Sequence, residues 1–515
     1  MRTAWILGDQ LSLGHAALAG LDPARDVVLM VESRARGAHR RYHKRKLVLV
    51  YSAMRHYAED LRRSGWRVDY HRLEDTPSFP SALSAHVRRF QPDAIRVMEA
   101  SDWTTTEALP RMAATAGVAL EVLPTNLFLV GRDEFREWAG GSRRLLMEHH
   151  YRRVRRGLGL LMEADGTPSG GTWNLDAENR LGVAEWRKAG APRPPSVGWE
   201  PPDACTREVM TWVDREFAGH PGDVGGFGWP VDRAGALRWL QRFVEERLPQ
   251  FGPFEDLMVT GEPGLFHSML TPMLNLGLLG PLECARAAET AWREGRVPLA
   301  SAEGFVRQVV GWREFVNGVY WLKGPGYATS NGLGAERSLP GWFWTGKTEL
   351  KCMATVLGEA LDTGYNHHIQ RLMVLGNFLL LTGVRPGEAL RWFNEMYVDA
   401  QDWVMAANVL GMALHADGGF MATKPYAAGG AYLSRMSDYC DGCRYSPKVR
   451  TGKGACPFNL WYWRFMDLHA QRFASNPRMA TIVRSWAKRP EPDRRQVLAD
   501  AEAALVEHGG GDEMG

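Results

Sequence analysis

Thr3-Ala4-Trp5-Ile6-Leu7-Gly8-Asp9-Gln10-Leu11 is a short apolar run that breaks abruptly into Gly-Asp-Gln. A run of this length, too short for a helix and closed by turn-forming residues, reads as a buried strand that delivers polar groups at its carboxyl end. The pattern recurs, and strands are expected at Ala4–Gly8, Asp26–Val31, Arg67–His71, Ala94–Met98 and Ala119–Leu123. Between them, Leu47–Ser64 and Ser81–Phe90 carry helical spacing. Strands alternating with helices predict a doubly wound, Rossmann-like α/β domain, whose ligand lies beyond the carboxyl ends of the strands. Gly8, Asp9 and Gln10 fall at that point on the first strand. No GxGxxG follows them, so an ordinary dinucleotide site is not supported.

Working outward, residues 131–230 are rich in Gly, Pro, Arg and Trp and read as a connector wrapped over the surface. From Ala234 the pattern turns helical throughout, with segments such as Phe266–Leu278, Ala302–Trp321, Asn366–Leu381 and Ala400–Leu410. The expected organisation is therefore an α/β domain over 1–130, a connector over 131–230, an all-α domain over 231–508 and a disordered tail over 509–515. At 515 residues, two or more cores are expected.

With 45% hydrophobic and 23% charged residues the composition is that of a globular protein. Apolar runs such as Phe378 to Leu381 are far shorter than a membrane span of roughly 20 residues. The N-terminus reads straight into a strand and carries no secretory signal, so a cytoplasmic setting is expected. Net charge is only +3, yet basic residues are bunched between Arg34 and Lys46 and between Arg143 and Arg156. Such clusters suit a polyanion such as DNA, or equally a solvated helix face.

Six cysteines in an intracellular chain point to metal, redox chemistry or packing before disulfides. Cys440-Asp441-Gly442-Cys443 puts two thiolates on one turn, Cys456-Pro457 adds a third, and Cys352 lies 88 residues before Cys440. Four thiolates suit tetrahedral zinc or a 4Fe–4S cluster; one close pair with two singles and a Cys-Pro dipeptide favour the cluster. Cys205 and Cys284 read as buried packing residues.

Ser268-Met269-Leu270-Thr271-Pro272 is followed in order by Gly311-Trp312-Arg313-Glu314-Phe315, His367-His368-Ile369-Gln370-Arg371 and Asp402 with Asn408. That succession, with Trp173-Asn174-Leu175-Asp176 in the connector and Lys424-Pro425-Tyr426 before the cysteines, resembles the photolyase and cryptochrome superfamily. It is most similar to the bacterial iron–sulfur branch of (6-4) photolyases and light sensors.

The resemblance implies an α/β antenna domain joined to an all-helical FAD domain, with Cys352, Cys440, Cys443 and Cys456 on a 4Fe–4S cluster. It places Ser268, Leu270 and Thr271 at the FAD phosphates, Arg313 in the pocket wall, an Arg371–Asp402 pair beside the isoalloxazine and Asn408 facing its N5. His368, with its neighbour His367, becomes the candidate acid for (6-4) repair, since imidazole titrates near neutrality. Leu372 stands where eukaryotic (6-4) photolyases carry a second histidine. Trp392 and Trp344 are the implied electron relay; Phe393, hard to oxidise, occupies a site often held by tyrosine, so Trp342 or Trp344 must carry the path onward. Gly8, Asp9, Gln10 and Glu32 stand where an antenna, 6,7-dimethyl-8-ribityllumazine in this branch, would lie.

Lys424, Arg180 and the Arg152–Arg156 cluster are expected to hold phosphates of UV-damaged DNA, the partner implied, and a monomer is expected. The leading expectation is light-driven repair of (6-4) photoproducts. The alternatives are a cryptochrome-type photoreceptor without repair, and a zinc-bearing nucleic-acid-binding protein.

Overall fold

A computed structural model describes residues 1–74, 78–195 and 197–509. Five strands, β1 (Thr3–Ile6), β2 (Val27–Val31), β3 (Arg67–His71), β4 (Ala94–Met98) and β5 (Ala119–Leu123), form one parallel sheet in the order β3-β2-β1-β4-β5. The strands alternate between two cores. Ile6, Val28 and Met30 face the main core with helix α1 (Lys44–Arg63), whereas Trp5, Leu29, Val31 and Val97 face a smaller one under α2 (Phe79–Phe90) and α3 (Trp103–Ala116). A period of two on a sheet covered on both faces produces this division.

The order reverses at β1, so β1 and β4 run to neighbouring helices on opposite faces and leave a crevice at their carboxyl ends. A cavity opens there, lined by Leu7, Gly8 and Asp9 after β1, Ser33 after β2, and Ser101 and Asp102 after β4.

The rest of the chain is helical. The elements used below are α4 (Thr271–Leu276), α5 (Arg313–Lys323), α6 (Lys351–Thr363), α7 (Pro386–Met396), α8 (Pro457–Leu468) and α9 (Glu491–His508). The helix expected over Phe266–Leu278 is formed only from Thr271 to Leu276. Leu265 and Met269 take left-handed conformations, φ 38° and 54°, which end helical propagation and fold the preceding residues into a tight loop. Other expected helices change pitch into wider π-helical turns, among them Arg307–Trp312, Gln370–Gly376 and Ala406–Ala413. Such turns displace side chains from the regular spiral and concentrate at functional sites.

Among the described residues no helix is long and apolar enough to cross a membrane. Of the tail expected to be disordered, only Gly509 is described; it closes the last turn of α9 through its N–H to the Leu505 carbonyl.

Candidate functional site

These three π-helical turns face one cavity, whose empty volume is about 1260 Å³ with its mouth included; a fourth, Phe243–Arg247, does not line it. Gln308 and Trp312 come from the first turn, Arg371 and Leu372 from the second, and Asn408, Val409 and Met412 from the third. Thr271, Arg313 and His368 complete the set that the sequence singles out here. This is the size and composition of a cofactor pocket: predominantly apolar walls with a few converging polar groups.

Arg371 is the charged centre. Its terminal nitrogens donate to both oxygens of Asp399 at 2.9 and 3.0 Å, and its Nε donates to the Asn366 carbonyl at 2.7 Å. The guanidinium lies 3.9 Å from the Tyr397 ring centroid. Asp399 and Tyr397 raise the Arg371 pKa against the opposing effect of burial, so the group stays charged. The expected Arg371–Asp402 pair is thus not formed. Asp402 instead accepts from Arg40 at 2.7 Å and lines the cavity beyond the sheet, because the chain turns between Asp399 and α-helical Asp402 and sends the two carboxylates to opposite sides.

Arg313 donates to Glu314 at 2.8 Å and to the Leu127 carbonyl at 3.2 Å, lies against Phe128 and Trp403, and leaves its buried Nε unpartnered. Asn408 lines the cavity and donates to the Val404 carbonyl at 2.8 Å. Ser268 and Leu270 are not among the lining residues; the Ser268 Oγ accepts from the Leu270 N–H at 3.4 Å within the tight loop.

The two neighbouring histidines diverge. His368 projects into the cavity, while His367 is fully buried behind it and stacks on His267 with 4.2 Å between ring centroids. Burial lowers the pKa of His267 to about 3 and that of His367 well below its ordinary value, whereas His368 stands exposed at the cavity. At neutral pH the two stacked imidazoles, His267 and His367, are uncharged. The main-chain N–H of His367 is held by Gln370, whose amide also donates to Glu359 and to the Tyr439 hydroxyl, next to Cys440.

Trp392 is completely buried on α7, 5.3 Å from Phe393, which lines the cavity, and 5.3 Å from Phe343. Trp342 stacks on Phe343 at 4.9 Å, whereas Trp344 lies under Arg41 at 5.6 Å.

The crevice beyond the sheet forms a second cavity that contains Gly8 and Asp9 as expected, but not Gln10 or Glu32. The Gln10 amide is buried and donates to the Glu99 carbonyl at 2.8 Å. Glu32 is saturated by Arg55 at 2.7 and 3.0 Å and by the Leu73 N–H at 3.0 Å, so it serves the sheet edge. Basic residues of the Arg34–Lys46 run also turn inward here: Arg36 pairs with Asp102, Arg40 with Asp402, and Lys46 donates to the Asn394 and Ala400 carbonyls. Asn275 and Asp399 line both cavities, which are therefore back to back.

The four cysteines lie within electrostatic reach of one another. Burial raises the Cys352 thiol well above its ordinary pKa, with Cys456, Cys440 and Cys443 adding to it, and Cys456 is raised to about 12. Gly442, at φ 71°, makes the turn that joins Cys440 and Cys443. Lys351, beside Cys352, donates to the Asp441 carbonyl and ties α6 to that turn. Among the described residues no three ligating side chains close on a single ion. Lys424 and Arg180 are electrostatic neighbours, with Arg478 as a third cation that sequence reading passed over. Arg152, Arg155 and Arg156 surround the Trp173 ring at 5.7, 5.4 and 5.0 Å.

Residues 4–229 match the family model described as Deoxyribodipyrimidine photo-lyase-related protein. Over 503 residues the chain is 44% identical to the (6-4) photolyase of Agrobacterium fabrum, covering 97% of this chain and 98% of that one. The chain belongs to the photolyase family. A bacterial class III photolyase from Agrobacterium tumefaciens superposes on this family member with a TM-score of 0.54 over 98% of each chain at 15% identity, a likeness of fold. The resemblance expected from the motifs is therefore borne out.

The cavity residues that motif reading missed in this photolyase are Asp399, Tyr365, Asn275, Trp403 and Glu255. Asp399 alone had a legible signal, as a second acidic residue three positions before Asp402.

Proposed function

We propose that the chain is a light-driven DNA repair enzyme that splits (6-4) pyrimidine-pyrimidone photoproducts with FAD as its cofactor. The observation that carries this reading is one cavity holding a carboxylate-paired arginine, Arg371, and an inward-facing histidine, His368. Arg313 Nε and His267 Nε2 are buried there without partners, donor or acceptor positions suited to a polar cofactor. Bound there, FAD would supply one electron on excitation and take it back after the bond is split.

Arg371 would favour an anionic reduced ring, with Asp399 preventing an unpaired buried charge once the cofactor leaves. Thr271, with Ser268 and Leu270 of the adjoining loop, would hold the phosphates, and Asn408 would face the ring. Trp392 would donate through Phe393 in photoreduction, with Trp342 next beyond Phe343. The lesion would be extruded into the mouth beside His368, as base chemistry on duplex DNA requires. Lys424, Arg180 and Arg478 would bind its phosphates, with affinity falling as salt rises.

Cys352, Cys440, Cys443 and Cys456 would hold a 4Fe–4S cluster. Four thiols within electrostatic reach of one another, given as one close pair and two singles, suit such a cluster. The cavity at Gly8 and Asp9 would take 6,7-dimethyl-8-ribityllumazine.

Absorption and metal analysis of anaerobically purified protein test the cofactors. Blue-light repair of oligonucleotides carrying a (6-4) or a cyclobutane lesion tests the activity. Repair of the (6-4) lesion is expected; flavin photoreduction without repair would overturn the reading in favour of a photoreceptor.

A further inference from the structure

Glu255 is the group in the larger cavity that the reading above leaves without a task. It is buried, 7% exposed, in a wall shared with Phe251, Phe305 and His267. One carboxyl oxygen accepts from the neutral Gln308 amide at 2.6 Å; the other, Oε2, is buried without any partner. Among the described residues no cation is bonded to it. Arg307, the nearest, is engaged by Asp176 at 3.2 Å and by Glu303 at 3.4 Å. The remaining charged or titratable groups facing Glu255 are Asp256 and Asp176, which are acidic, and His267, which hydrogen-bonds to its carbonyl oxygen.

A carboxyl buried without a bonded cation retains its proton far more readily than one in water. Burial pushes Glu255 up to about 7, and Asp256 and Asp176 add to the shift against Arg307. His267, packed against the same wall, is depleted of its proton at that pH, its pKa lowered by burial to about 3. Protonating a lesion as it gains an electron needs a group that still carries a proton at neutral pH, which a carboxyl raised by burial does.

We propose that Glu255 is a further acid of this cavity, oriented by Gln308, and that it gives its proton to the bound (6-4) lesion as the lesion is reduced. One proton leaves the Glu255 carboxyl as one electron enters the lesion. After the bond is split the electron returns to the cofactor and the proton to the carboxylate, so neither is consumed. Gln308 is the positioning residue: its Nε2 is committed to the Glu255 carboxyl. The inference rests on the repair reading above.

The test is the repair yield per flash of Glu255→Gln, Glu255→Asp and wild-type holoenzyme, saturated with (6-4)-containing duplex, between pH 5.5 and 9. Wild type is expected to lose yield as pH rises through about 7, where the acid loses its proton. Glu255→Gln should fall at least tenfold with no such pH step, at unchanged flavin absorbance and DNA affinity, and Glu255→Asp should recover both yield and step. Wild-type yield in Glu255→Gln, or a pH step that survives the substitution, would overturn the role. If Glu255→Gln fails to hold flavin, the Asp variant decides, since absence of a pH step there overturns the proposal equally. A wild-type enzyme that repairs nothing would instead sink the repair reading itself.

Discussion

Arg371 and Asp399 meet in a bidentate pair, 2.9 and 3.0 Å, on the wall that divides the two cavities. With Asp399 only 5% exposed, removing the carboxylate strands the guanidinium in a largely buried wall. Asp399→Asn should therefore destabilise the protein by about 3 kcal/mol, the range for breaking a buried pair on one side. Its flavin content should fall in parallel, and unfolding midpoints with absorbance near 450 nm would show both.

The partner expected from sequence gives the contrasting result. Asp402 pairs with Arg40, both about a quarter exposed, in the other cavity. Asp402→Asn should cost no more than about 1 kcal/mol and leave the flavin spectrum unchanged. Loss of flavin from Asp402→Asn, with Asp399→Asn intact, would reverse the assignment made from the geometry.

The difference between these aspartates shows what was legible. Strand periodicity is local, so β3, β4 and β5 follow the sequence residue for residue, whereas the order that sets the switch point comes from the pairing of the strands. Motif residues on helices were found as types, with Thr271, Arg313, His368, Arg371 and Asn408 brought to one cavity. Pairings across the fold were not legible. Glu32 looked available until Arg55 reached it from α1, and Asp399 displaced Asp402 because a bend between them reverses the side on which each emerges. The π-helical turns were invisible as well, since one residue of extra pitch leaves apolar spacing nearly unchanged.

Electron delivery should depend on indoles in ring contact. Trp392→Phe is expected to slow blue-light flavin reduction at least tenfold while leaving the ground-state spectrum alone, since Trp392 stands directly behind Phe393. Trp342→Phe should matter more than Trp344→Phe, because Phe343 bridges Trp392 to Trp342 through contacts of 5.3 and 4.9 Å. Transient absorption with an external reductant held constant would rank the three.

On the proposed cluster reading, substituting one cysteine should disturb more than that one thiolate. The turn of Cys440 and Cys443 is tied to α6 by Lys351, and the Tyr439 hydroxyl accepts from Gln370 beside the cavity histidines. Cys443→Ser is therefore expected to lose iron, lower the unfolding temperature and weaken repair together. Iron analysis, calorimetry and the flash assay on one preparation check this, and normal stability without iron would contradict a structural cluster.

Acid should unfold the protein through its buried histidines. His150 is fully buried among Phe135, Trp138 and Phe315, with both ring nitrogens unpartnered, and burial with Arg153 nearby depresses its pKa to about 3. The unfolded chain takes up a proton at about 6.5 that the folded ring refuses. Its stabilising contribution is thus complete above pH 6.5 and is lost as pH falls from there toward 3. At about 1.4 kcal/mol per pH unit, the loss from this residue alone reaches about 2 kcal/mol at pH 5. His150→Phe removes the titration while keeping an aromatic ring in an aromatic site. In urea unfolding at pH 7.5 and pH 5, the variant should gain about 2 kcal/mol on wild type between the two conditions, whatever its offset at pH 7.5. An unchanged difference at both would mean that the His150 site opens to water before the proton arrives.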